Sequence, residues 1–538
     1  MHLKRVVIKG FKTLRDFQMD VGQQLNILVG NNETGKTTVL DAVNLVLTGQ
    51  MEGRPVQYDL NPYYFNANMV AEYFKGAQKC PKSETPRILI EAYLDDDGSN
   101  ILAKLKGSNN SLNEDCPGVY LTIELNPDCA ADFEAYVADA QNRQLCLMPV
   151  EYFLVVWRTF ANNTVVARCL PFRAKVIDTS LMRSYSGPNR YLARIIDDFL
   201  LPDQRIALSA AYRQLKLAFM QQKGIAEIND YLKGKKGSIT TKDLSISLDM
   251  SARSTWDSSI TAHLDNIPFD DVGKGEQCRV QMKLAIEATN ADSVLLIEEP
   301  ENHLSYSNMA CLIDEIEAKS AGRQVLIATH SSFVLNRLGV DNVRLLANGT
   351  VTSMSGLSPK TIDYFKKLPG YDTLRLLLAA RTILVEGPSD ELVVQKAYLA
   401  QHRKLPLADR VDVIAVGSLA FKRFLEIGAK LGLDVCVVTD NDRDVDAKKQ
   451  KYADYLGGQY PKIRILFDTD ESAPTLEYQL LKLNGRQTMN QVLGKSFKKD
   501  DEVTDYMTRH KTACALKFFE SSEQLKFPKY IRDAVSAQ

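Results

Sequence analysis

The segment Gly30–Thr37, which reads GNNETGKT, constrains the fold of this chain more than any other feature. It follows the apolar run Leu25–Val29 and leads into a helical pattern of apolar residues. In such a loop, glycines let backbone amides converge on a phosphate, and the start of the helix adds positive partial charge. The sequence therefore predicts a buried strand, a phosphate-binding loop and a helix within an α/β fold.

Nucleotide contacts are predicted along this loop. We expect the lysine to reach the terminal phosphates of ATP and the threonine after it to offer a hydroxyl to Mg²⁺. The predicted ATP-binding residues are Gly30, Asn31, Asn32, Gly35, Lys36, Thr37 and Thr38.

The carboxylates that ATP hydrolysis needs follow a second buried strand. The apolar run Val294–Ile297 ends in Glu298 and Glu299, and ligands of open α/β sheets bind at the carboxyl ends of the strands. We expect Glu298 to hold Mg²⁺, directly or through water, and Glu299 to polarise the attacking water.

Two further motifs flank this strand. The segment GKGEQ precedes it and starts a helix, which again aims backbone amides at a phosphate. The apolar run Val325–Ala328 comes later and is followed by His330, in a position to sense the γ-phosphate. The residues of the first motif that we assign to nucleotide binding are Gly273, Gly275 and Gln277.

In order and spacing, these motifs resemble the ABC-type ATPase head of the recombination, repair and chromosome-maintenance ATPases, over roughly 1–175 and 245–355. The resemblance implies that Gly273–Gln277 is a signature loop, which completes the ATP site of a partner subunit in a homodimer. It also makes His330 the switch residue. The chain departs from the family pattern at Glu298, where most heads have Asp, and the signature lacks its leading Leu-Ser. We therefore expect slow hydrolysis, with ATP acting as a clamp or switch.

The two halves of this head are separated by a long insert. Its first part alternates strand-like and polar segments, which predicts an enlarged antiparallel lobe. Its second part has apolar residues at helical spacing in Tyr191–Leu200 and Arg205–Lys216. Such helices form either a coiled-coil arm or a dimerisation module, and the short length without sustained heptads favours dimerisation. The predicted strands are Arg87–Leu94, Val119–Leu125, Tyr152–Arg158 and Thr164–Leu170.

A second α/β pattern begins after a connector at about 355–375. The strand Thr382–Val385 ends in Glu386, and the strand Val435–Val438 leads to Asp440 and Asp442. Strand ends in a βαβ series lie at one edge of the sheet, so these acids can converge. Carboxylates are the ligands that Mg²⁺ or Mn²⁺ prefers. The sequence predicts a divalent-metal site there.

This second pattern resembles the Toprim domain of topoisomerases, primases and certain nucleases, over roughly 380–480. An ABC head followed by Toprim resembles the OLD (overcoming lysogenization defect) family of ATP-dependent endonucleases, along essentially the whole chain. The resemblance implies two metal ions and a late lysine, for which Lys511 is the best candidate, with Lys499 and Lys517 as rivals. The metal ligands that it implies are Glu386, Asp390, Asp440, Asp442 and Glu477.

The tail from about residue 482 is basic in patches, with aromatic residues interleaved. It either lines a groove for DNA phosphates or caps the Toprim sheet as amphipathic helices. The predicted domains are an ABC ATPase N-terminal half (1–175), a helical dimerisation insert (176–244), an ATPase C-terminal half with connector (245–375), a Toprim nuclease domain (376–480) and a basic helical extension (481–538).

Composition narrows the choice of partners. Lys and Arg number 66 against 67 Asp and Glu, so DNA contacts must come from local basic patches. The nine cysteines form no CxxC pair and are expected to be reduced core residues.

The first residues run into the strand Val6–Ile8 with no room for a signal peptide, and no apolar stretch is long enough for a membrane span. We expect a cytoplasmic protein without membrane contact.

These observations predict a Mg²⁺- or Mn²⁺-dependent DNA endonuclease that is controlled by an ATP-bound dimeric head. Glu299, His330, Glu386 and Lys511 are its expected catalytic residues, and metal-assisted attack by water needs no covalent nucleophile. The resemblance further implies defence against phage or foreign DNA. Two alternatives stay open: a RecF-like repair ATPase that clamps DNA without cutting it, and a toxin subunit restrained by a partner encoded beside it. The resemblance implies that the subunits form a homodimer or a dimer of dimers.

Overall fold

The computed structural model describes most of the chain. The described residues are 1–77, 84–139, 142, 147–166, 170–178, 196, 200–236, 242–250, 256, 261–287, 293–320, 322–347 and 349–536.

The strands in the described residues are, in chain order, β1 (Leu3–Phe11), β2 (Leu14–Asp20), β3 (Leu25–Val29), β4 (Gln50–Met51), β5 (Arg54–Pro55), β6 (Ile88–Leu94), β7 (Lys106–Gly107), β8 (Cys116–Leu125), β9 (Phe153–Thr159), β10 (Arg173–Asp178), β11 (His263–Leu264), β12 (Ile267–Pro268), β13 (Ser293–Glu298), β14 (Gln324–Ala328), β15 (Val343–Ala347), β16 (Thr350–Ser353), β17 (Arg381–Val385), β18 (Val411–Ala415), β19 (Val435–Val438) and β20 (Ile463–Leu466).

The α-helices in the same residues are α1 (Lys36–Thr48), α2 (Ala67–Ala77), α3 (Asn100–Ala103), α4 (Ala130–Ala138), α5 (Pro202–Met220), α6 (Lys223–Lys233), α7 (Lys274–Glu287), α8 (Tyr306–Lys319), α9 (Ser332–Leu338), α10 (Pro359–Lys367), α11 (Thr373–Leu378), α12 (Pro388–His402), α13 (Phe421–Leu431), α14 (Val445–Lys451), α15 (Ala453–Leu456), α16 (Leu476–Leu493), α17 (Asp500–Arg509), α18 (Lys511–Glu520) and α19 (Lys529–Ser536).

Two sheets enclose α1 and form the ATPase head. One is antiparallel, with the order β2-β1-β6-β8-β7 and β9 paired to β8. The other has the order β10-β13-β14-β3-β15-β16 and is parallel from β10 to β15. The strand before the phosphate-binding loop, β3, is buried along its whole length, as expected for a central parallel strand covered on both faces.

The C-terminal sheet has the order β18-β17-β19-β20, and all of its pairings are parallel. The carboxyl ends of β17 and β19 are neighbours, which places the acids after these strands at one edge. A core shared with the head joins the two parts, because Phe365 on α10 packs edge-to-face on Phe424 of α13 with ring centroids 5.2 Å apart. The structure thus confirms an ABC-type α/β head followed by a βαβ unit with a parallel sheet.

Three of the four strands predicted in the N-terminal lobe are present as β6, β8 and β9. The fourth prediction, Thr164–Leu170, is wrong in its described part, where Thr164 forms only an isolated bridge to Arg158. Residues 167–169 of that segment lie outside the described residues.

The insert contains helices at its described end. The predicted helix Arg205–Lys216 lies within α5, whereas Tyr191–Leu200 falls almost entirely outside the described residues. Large apolar side chains of α5 and α6 are exposed, with Ile206 at 71% and Tyr231 at 66%. No described helix combines the length and apolarity that crossing a bilayer demands.

The C-terminal helices pack against the Toprim-like sheet. Phe518, Phe527 and Tyr530 are buried in one cluster with residues of β17 and β19. This is the capping arrangement that the tail's amphipathic pattern predicted. The basic side chains Lys498, Lys526 and Lys529 remain exposed, so capping leaves the prediction of a DNA contact open.

Candidate nucleotide site and acidic pocket

The backbone of the phosphate-binding loop has the geometry that a bound phosphate requires. Gly35 adopts a φ of 97° and α1 starts directly after it, so the first amides of the helix face the loop. A Cβ at Gly30 would lie 2.6 Å from the Leu346 carbonyl oxygen, so only glycine fits there. Lys36 Nζ donates to the carbonyl oxygens of Gly30 at 2.9 Å and Asn31 at 3.1 Å. The loop therefore fits a nucleotide phosphate.

The Lys36 amine is buried, and burial lowers its pKa while the charges of Glu299 and Glu298 act in the opposite direction. A phosphate at this position would favour the charged amine in the same way. Thr37 Oγ1 donates to Glu298, which joins the two predicted Mg²⁺-contacting groups. Of the other loop residues, Asn32 is exposed and Thr38 is buried on α1.

Glu299, directly after β13, is held in place by contacts with neighbouring segments. Its backbone turns into the left-handed region with a φ of 46°, and its amide donates to the Ala328 carbonyl at 2.8 Å. Asn302 Nδ2 donates to Glu299 Oε2 at 2.6 Å, and His330 Nε2 lies 3.9 Å from Oε1. The predicted water-polarising acid and the predicted switch residue thus meet at the end of the strand.

Glu301 was not among the predicted site residues, yet it binds the segment that contains the predicted switch residue. Its carboxylate accepts hydrogen bonds from Thr329 Oγ1 at 2.9 Å and from the His330 amide at 2.8 Å. In the sequence, Glu301 begins the segment Glu301–Leu304, which follows the acidic strand.

The signature-like loop lies against the segment after β13. A Cβ at Gly275 would lie 2.8 Å from the His303 carbonyl oxygen, and Cys278 Sγ donates to the Asn302 carbonyl at 3.6 Å. Gln277 is buried and its Nε2 donates to the Phe269 carbonyl at 2.6 Å. Gln277 therefore fixes the start of α7, while Gly273 is open, since nothing would lie within 4 Å of a Cβ there.

A second site lies at the carboxyl edge of the C-terminal sheet. Glu386 follows β17, Asp390 lies in the first turn of α12, and Asp440 follows β19. Together they line one small pocket whose other walls include Leu476 of α16 and Tyr530 of α19. Three acids from separate segments of the chain are thereby brought together.

Electrostatics link this pocket to two further residues. Burial raises the pKa of Asp440 to about 8, with smaller contributions from the charges of Asp390, Glu386 and Glu477. Burial, followed by the charge of Glu386, raises the pKa of Asp390 to about 6. The charge of Lys511 opposes both shifts. Such mutual repulsion among carboxylates is what a divalent cation relieves.

Glu477 and Lys511 form an ion pair beside the pocket. Glu477 is 7% exposed, and its Oε1 lies 3.2 Å from Lys511 Nζ while Thr475 Oγ1 donates to Oε2 at 2.6 Å. Of the rival lysines, Lys517 donates to the Leu493 carbonyl. The structure thus brings Lys511 to the acidic pocket, as the resemblance implied for the late lysine.

The donor chemistry of the pocket fits Mg²⁺ or Mn²⁺, since its carboxylate oxygens are hard ligands. Among the described residues, however, no three His, Cys, Asp or Glu side chains lie close enough together to hold an ion as they stand. Ligation therefore needs these carboxylates to come closer to one another.

Asp442 is separate from the pocket. It adopts a φ of 54°, its side chain is 62% exposed, and its Oδ2 lies 2.7 Å from Lys448 Nζ. The structure therefore does not bring this predicted ligand together with Asp440, although they are two residues apart.

Comparisons with known families support an ATPase head followed by a Toprim domain. Residues 5–109 match an AAA domain, and residues 197–336 match an AAA domain described with the AbiEii toxin of type IV TA systems. Residues 377–442 match the TOPRIM domain of overcoming lysogenization defect protein-like proteins. The chain has the ATPase–Toprim architecture of the OLD family. No curated protein matches it significantly.

Solved structures with similar chains include heads of SMC proteins and RecF. The Smc head domain with an extended coiled coil bound to the C-terminal domain of ScpA, from Pyrococcus furiosus, is 13% identical, with 68% of this chain and 99% of that chain covered and a TM-score of 0.34. The SMC head domain from Thermotoga maritima is 12% identical, with coverages of 65% and 98% and a TM-score of 0.29. The recombination mediator RecF with ATP is 12% identical, with coverages of 65% and 99% and a TM-score of 0.33.

Three residues in or beside this OLD-type Toprim domain were not among the predicted site residues. Asn441 is fully buried and its Nδ2 donates to the carbonyls of Asp468 and Asp470, which fixes the loop after β19. Tyr530 closes the pocket from the C-terminal helix, and Lys448 contacts two of the predicted metal ligands. Tyr530 and Lys448 reach the site through long-range packing, and no local motif in the sequence marks them.

Proposed function

We propose that the protein is an ATP-regulated, divalent-metal-dependent DNA endonuclease that acts in defence against phage or other foreign DNA. The observation that carries the proposal is the convergence of Glu386, Asp390, Asp440 and Glu477 around a pocket with Lys511 at its edge. Acids whose pKa values are raised by burial, as those of Asp390 and Asp440 are, cluster at catalytic sites, and here a paired lysine lies beside them. The Toprim match over 377–442 supports the same reading.

The reaction that fits is hydrolysis of a phosphodiester, in which water forms one P–O bond as another breaks. The three pocket acids and the neighbouring Glu477, joined by Asp442 in the two-metal arrangement that the resemblance implies, would hold the ions. Bound divalent metal supplies charge neutralisation and an activated water. The Lys511 ammonium, oriented by Glu477, stabilises the extra negative charge on the phosphate oxygens in the transition state.

Regulation by ATP is supported by a continuous set of contacts between the head and the Toprim domain. The switch residue His330 is followed by α9, from which Ser332 donates to Asp372. Thr373 Oγ1 donates to Asn336 Oδ1 of α9 at 2.7 Å in a buried position. A rearrangement of α9 when nucleotide binds would therefore move α11.

From α11 the contacts continue into the Toprim domain. Arg375 donates to both carboxylate oxygens of Asp412 on β18, at 2.9 and 2.5 Å, and its Nη2 lies 4.0 Å from Glu391. Glu391 is adjacent to Asp390 of the acidic pocket. Bidentate arginine pairs are geometrically strict, so this link can transmit a change in position.

A second candidate function is a toxin subunit that a partner protein restrains. The match of residues 197–336 to the domain described with the AbiEii toxin of type IV TA systems favours it. This alternative is compatible with nuclease chemistry. Co-expression with the adjacent genes would separate the two, because only the restrained toxin requires a neighbour's product for cell survival.

Plasmid nicking in Mg²⁺ or Mn²⁺ tests the proposal. We expect the wild-type protein to nick or linearise the plasmid, Asp440→Asn to abolish cutting, and Lys36→Ala to change its ATP dependence. Asp446→Asn is the matched control, because Asp446 is 94% exposed and lies only six residues away. Failure to cut any DNA or RNA in either metal would contradict the nuclease and leave the RecF-like clamp.

A further inference from the structure

Lys448 is a buried lysine at the acidic edge of the Toprim sheet. Its side chain is 7% exposed, whereas the next residue, Lys449, is 56% exposed and pairs with the exposed Asp446. Buried lysines occur almost only where their charge is paired. The buried ammonium group of Lys448, on α14, therefore needs acidic or hydrogen-bonding partners. The structure supplies them.

The ammonium group of Lys448 makes three contacts. It lies 2.7 Å from Asp442 Oδ2 and 3.8 Å from Glu386 Oε1, and it donates to Thr439 Oγ1 at 3.2 Å. Thr439 Oγ1 in turn donates to the same Glu386 oxygen. A positive charge is thus fixed between two carboxylates that the sequence assigned to metal ions.

Glu386 is shared between this cation and the acidic pocket. It lines the pocket with Asp390 and Asp440, and its charge raises the pKa of each. Asp442 contacts Lys448 and does not line the pocket. The five predicted ligands therefore divide into a set around the pocket and a set around Lys448.

A buried hydroxyl faces the Lys448 set. Tyr452 is fully buried, and among the described residues its hydroxyl has no hydrogen-bond partner. Burial raises the pKa of Tyr452, and the charges of Glu386 and Asp442 raise it further. An unpaired buried hydroxyl is costly, which indicates a place for a further polar ligand beside these acids.

We propose that Lys448 is a built-in cation that competes with a second metal ion for Glu386 and Asp442, so that the site binds one divalent cation tightly and a second only weakly. The inference rests on the proposed nuclease site and makes its two metal positions unequal. A metal ion between these oxygens has to displace an ammonium held by charge-assisted contacts. Asp390 and Asp440 form no ion pair among the described residues, and the nearest ammonium, that of Lys511, pairs with Glu477 instead.

Manganese titration of the full chain, with free Mn²⁺ followed by electron paramagnetic resonance, tests the inference. The wild type is expected to show one tight site and a second at least about tenfold weaker, the usual scale for a change in a ligand's supporting partner. Lys448→Gln keeps a donor for Thr439 but removes the charge, and should tighten the second site by about tenfold or more. Lys448→Arg should behave like the wild type.

Lys449→Gln is the matched control, because it removes the same charge from the adjacent, exposed position. Two equal sites in the wild type would overturn the inference, as would a second site that is unchanged or weaker in Lys448→Gln, or an equal gain in Lys449→Gln. Lys448→Met provides a second uncharged variant if Lys448→Gln does not fold, and the wild-type titration stands without either.

Nicking assays on the same samples separate this inference from the proposed function. A wild-type protein that binds Mn²⁺ but cuts no nucleic acid contradicts the nuclease and leaves the unequal sites standing. A wild type that cuts, with Lys448→Gln binding Mn²⁺ as the wild type does, contradicts the role of Lys448 alone. We also expect Lys448→Gln to reach half-maximal cutting at a lower Mn²⁺ concentration.

Discussion

Asp440 has a larger shift in its pKa than Asp390, the other pocket acid whose pKa is raised. Its pKa, raised to about 8, lies well above the value of 3.8 for an unfolded chain. The folded protein therefore holds a proton that the unfolded chain releases, and stability without metal falls as pH rises from about 4 to 8. Asp390, with a pKa near 6, titrates together with it.

We predict that the melting temperature in EDTA falls between pH 6.5 and 8.5 more steeply in the wild type than in Asp440→Asn, because the asparagine carries no proton to lose. Mg²⁺ should restore stability at pH 8.5 in the wild type only. Differential scanning fluorimetry measures both effects. Equal pH slopes for the two proteins would contradict the coupling of the pocket acids, and Asp446→Asn should retain the wild-type slope.

Two buried tyrosines differ in whether their hydroxyl group has a hydrogen-bond partner, so their stabilities can be compared. Tyr93 donates to Glu91 at 2.9 Å, whereas the Tyr452 hydroxyl has no partner among the described residues. Removing a satisfied hydroxyl costs about 1 kcal/mol, while removing an unsatisfied one costs nothing or stabilises. We predict that Tyr93→Phe lowers the free energy of unfolding by about 1 kcal/mol and that Tyr452→Phe does not, as measured by urea denaturation. The reverse order would contradict the assignment.

Among the elements, α9 and α11 carry the proposed coupling between ATP and the nuclease site. We predict that Arg375→Ala removes most of the change that ATP causes in the cutting rate, which for ordinary allosteric coupling is about fivefold or more. Cutting in the absence of ATP should persist. The measurement is plasmid nicking with and without ATP.

Arg337→Ala is the control for this pair of helices, since Arg337 lies on α9 but pairs at the surface with Asp314. It should keep the full ATP response. A loss of response in Arg337→Ala, or a normal response in Arg375→Ala, would show that the contacts through α11 do not carry the signal.

The elements that the sequence predicted best are those with continuous apolar runs. The strands β3 and β19 have the predicted bounds, because fully buried parallel strands appear in the sequence as short, nearly continuous apolar runs. The strand β10 was missed, since Arg173 is exposed while Ile177 is buried and the segment resembles a surface strand. Its parallel pairing with β13 is a long-range contact that no local pattern reveals.

The acidic residues at the strand ends were predicted from the same strand pattern. The prediction that Asp442 lies with Asp440 was wrong. Residues i and i+2 share a face only while the backbone stays extended. After β19 the chain enters the left-handed region at Asp442 and Arg443, with φ values of 54° and 66°. The side chain of Asp442 is thereby directed to Lys448, a contact that depends on the packing of α14.

At the scale of the whole molecule, the signature-like loop and the exposed apolar residues of α5 and α6 support a proposed ATP-bound dimer. We predict that Glu299→Gln, which retains ATP because hydrolysis is blocked, elutes as a dimer or tetramer when ATP is present. Lys36→Ala should not respond to ATP. Size-exclusion chromatography with light scattering gives the masses, and an ATP-independent monomer in Glu299→Gln would contradict the proposal.

The measurement that tests the central claim most directly is anomalous diffraction from a crystal of the full chain soaked in Mn²⁺. The account predicts a strong manganese peak in contact with carboxylate oxygens of Glu386, Asp390 and Asp440, close to Glu477 and Lys511. A soaked crystal in which these acids stay apart, with no peak among them, would contradict the assignment of this pocket as a metal-dependent nuclease site.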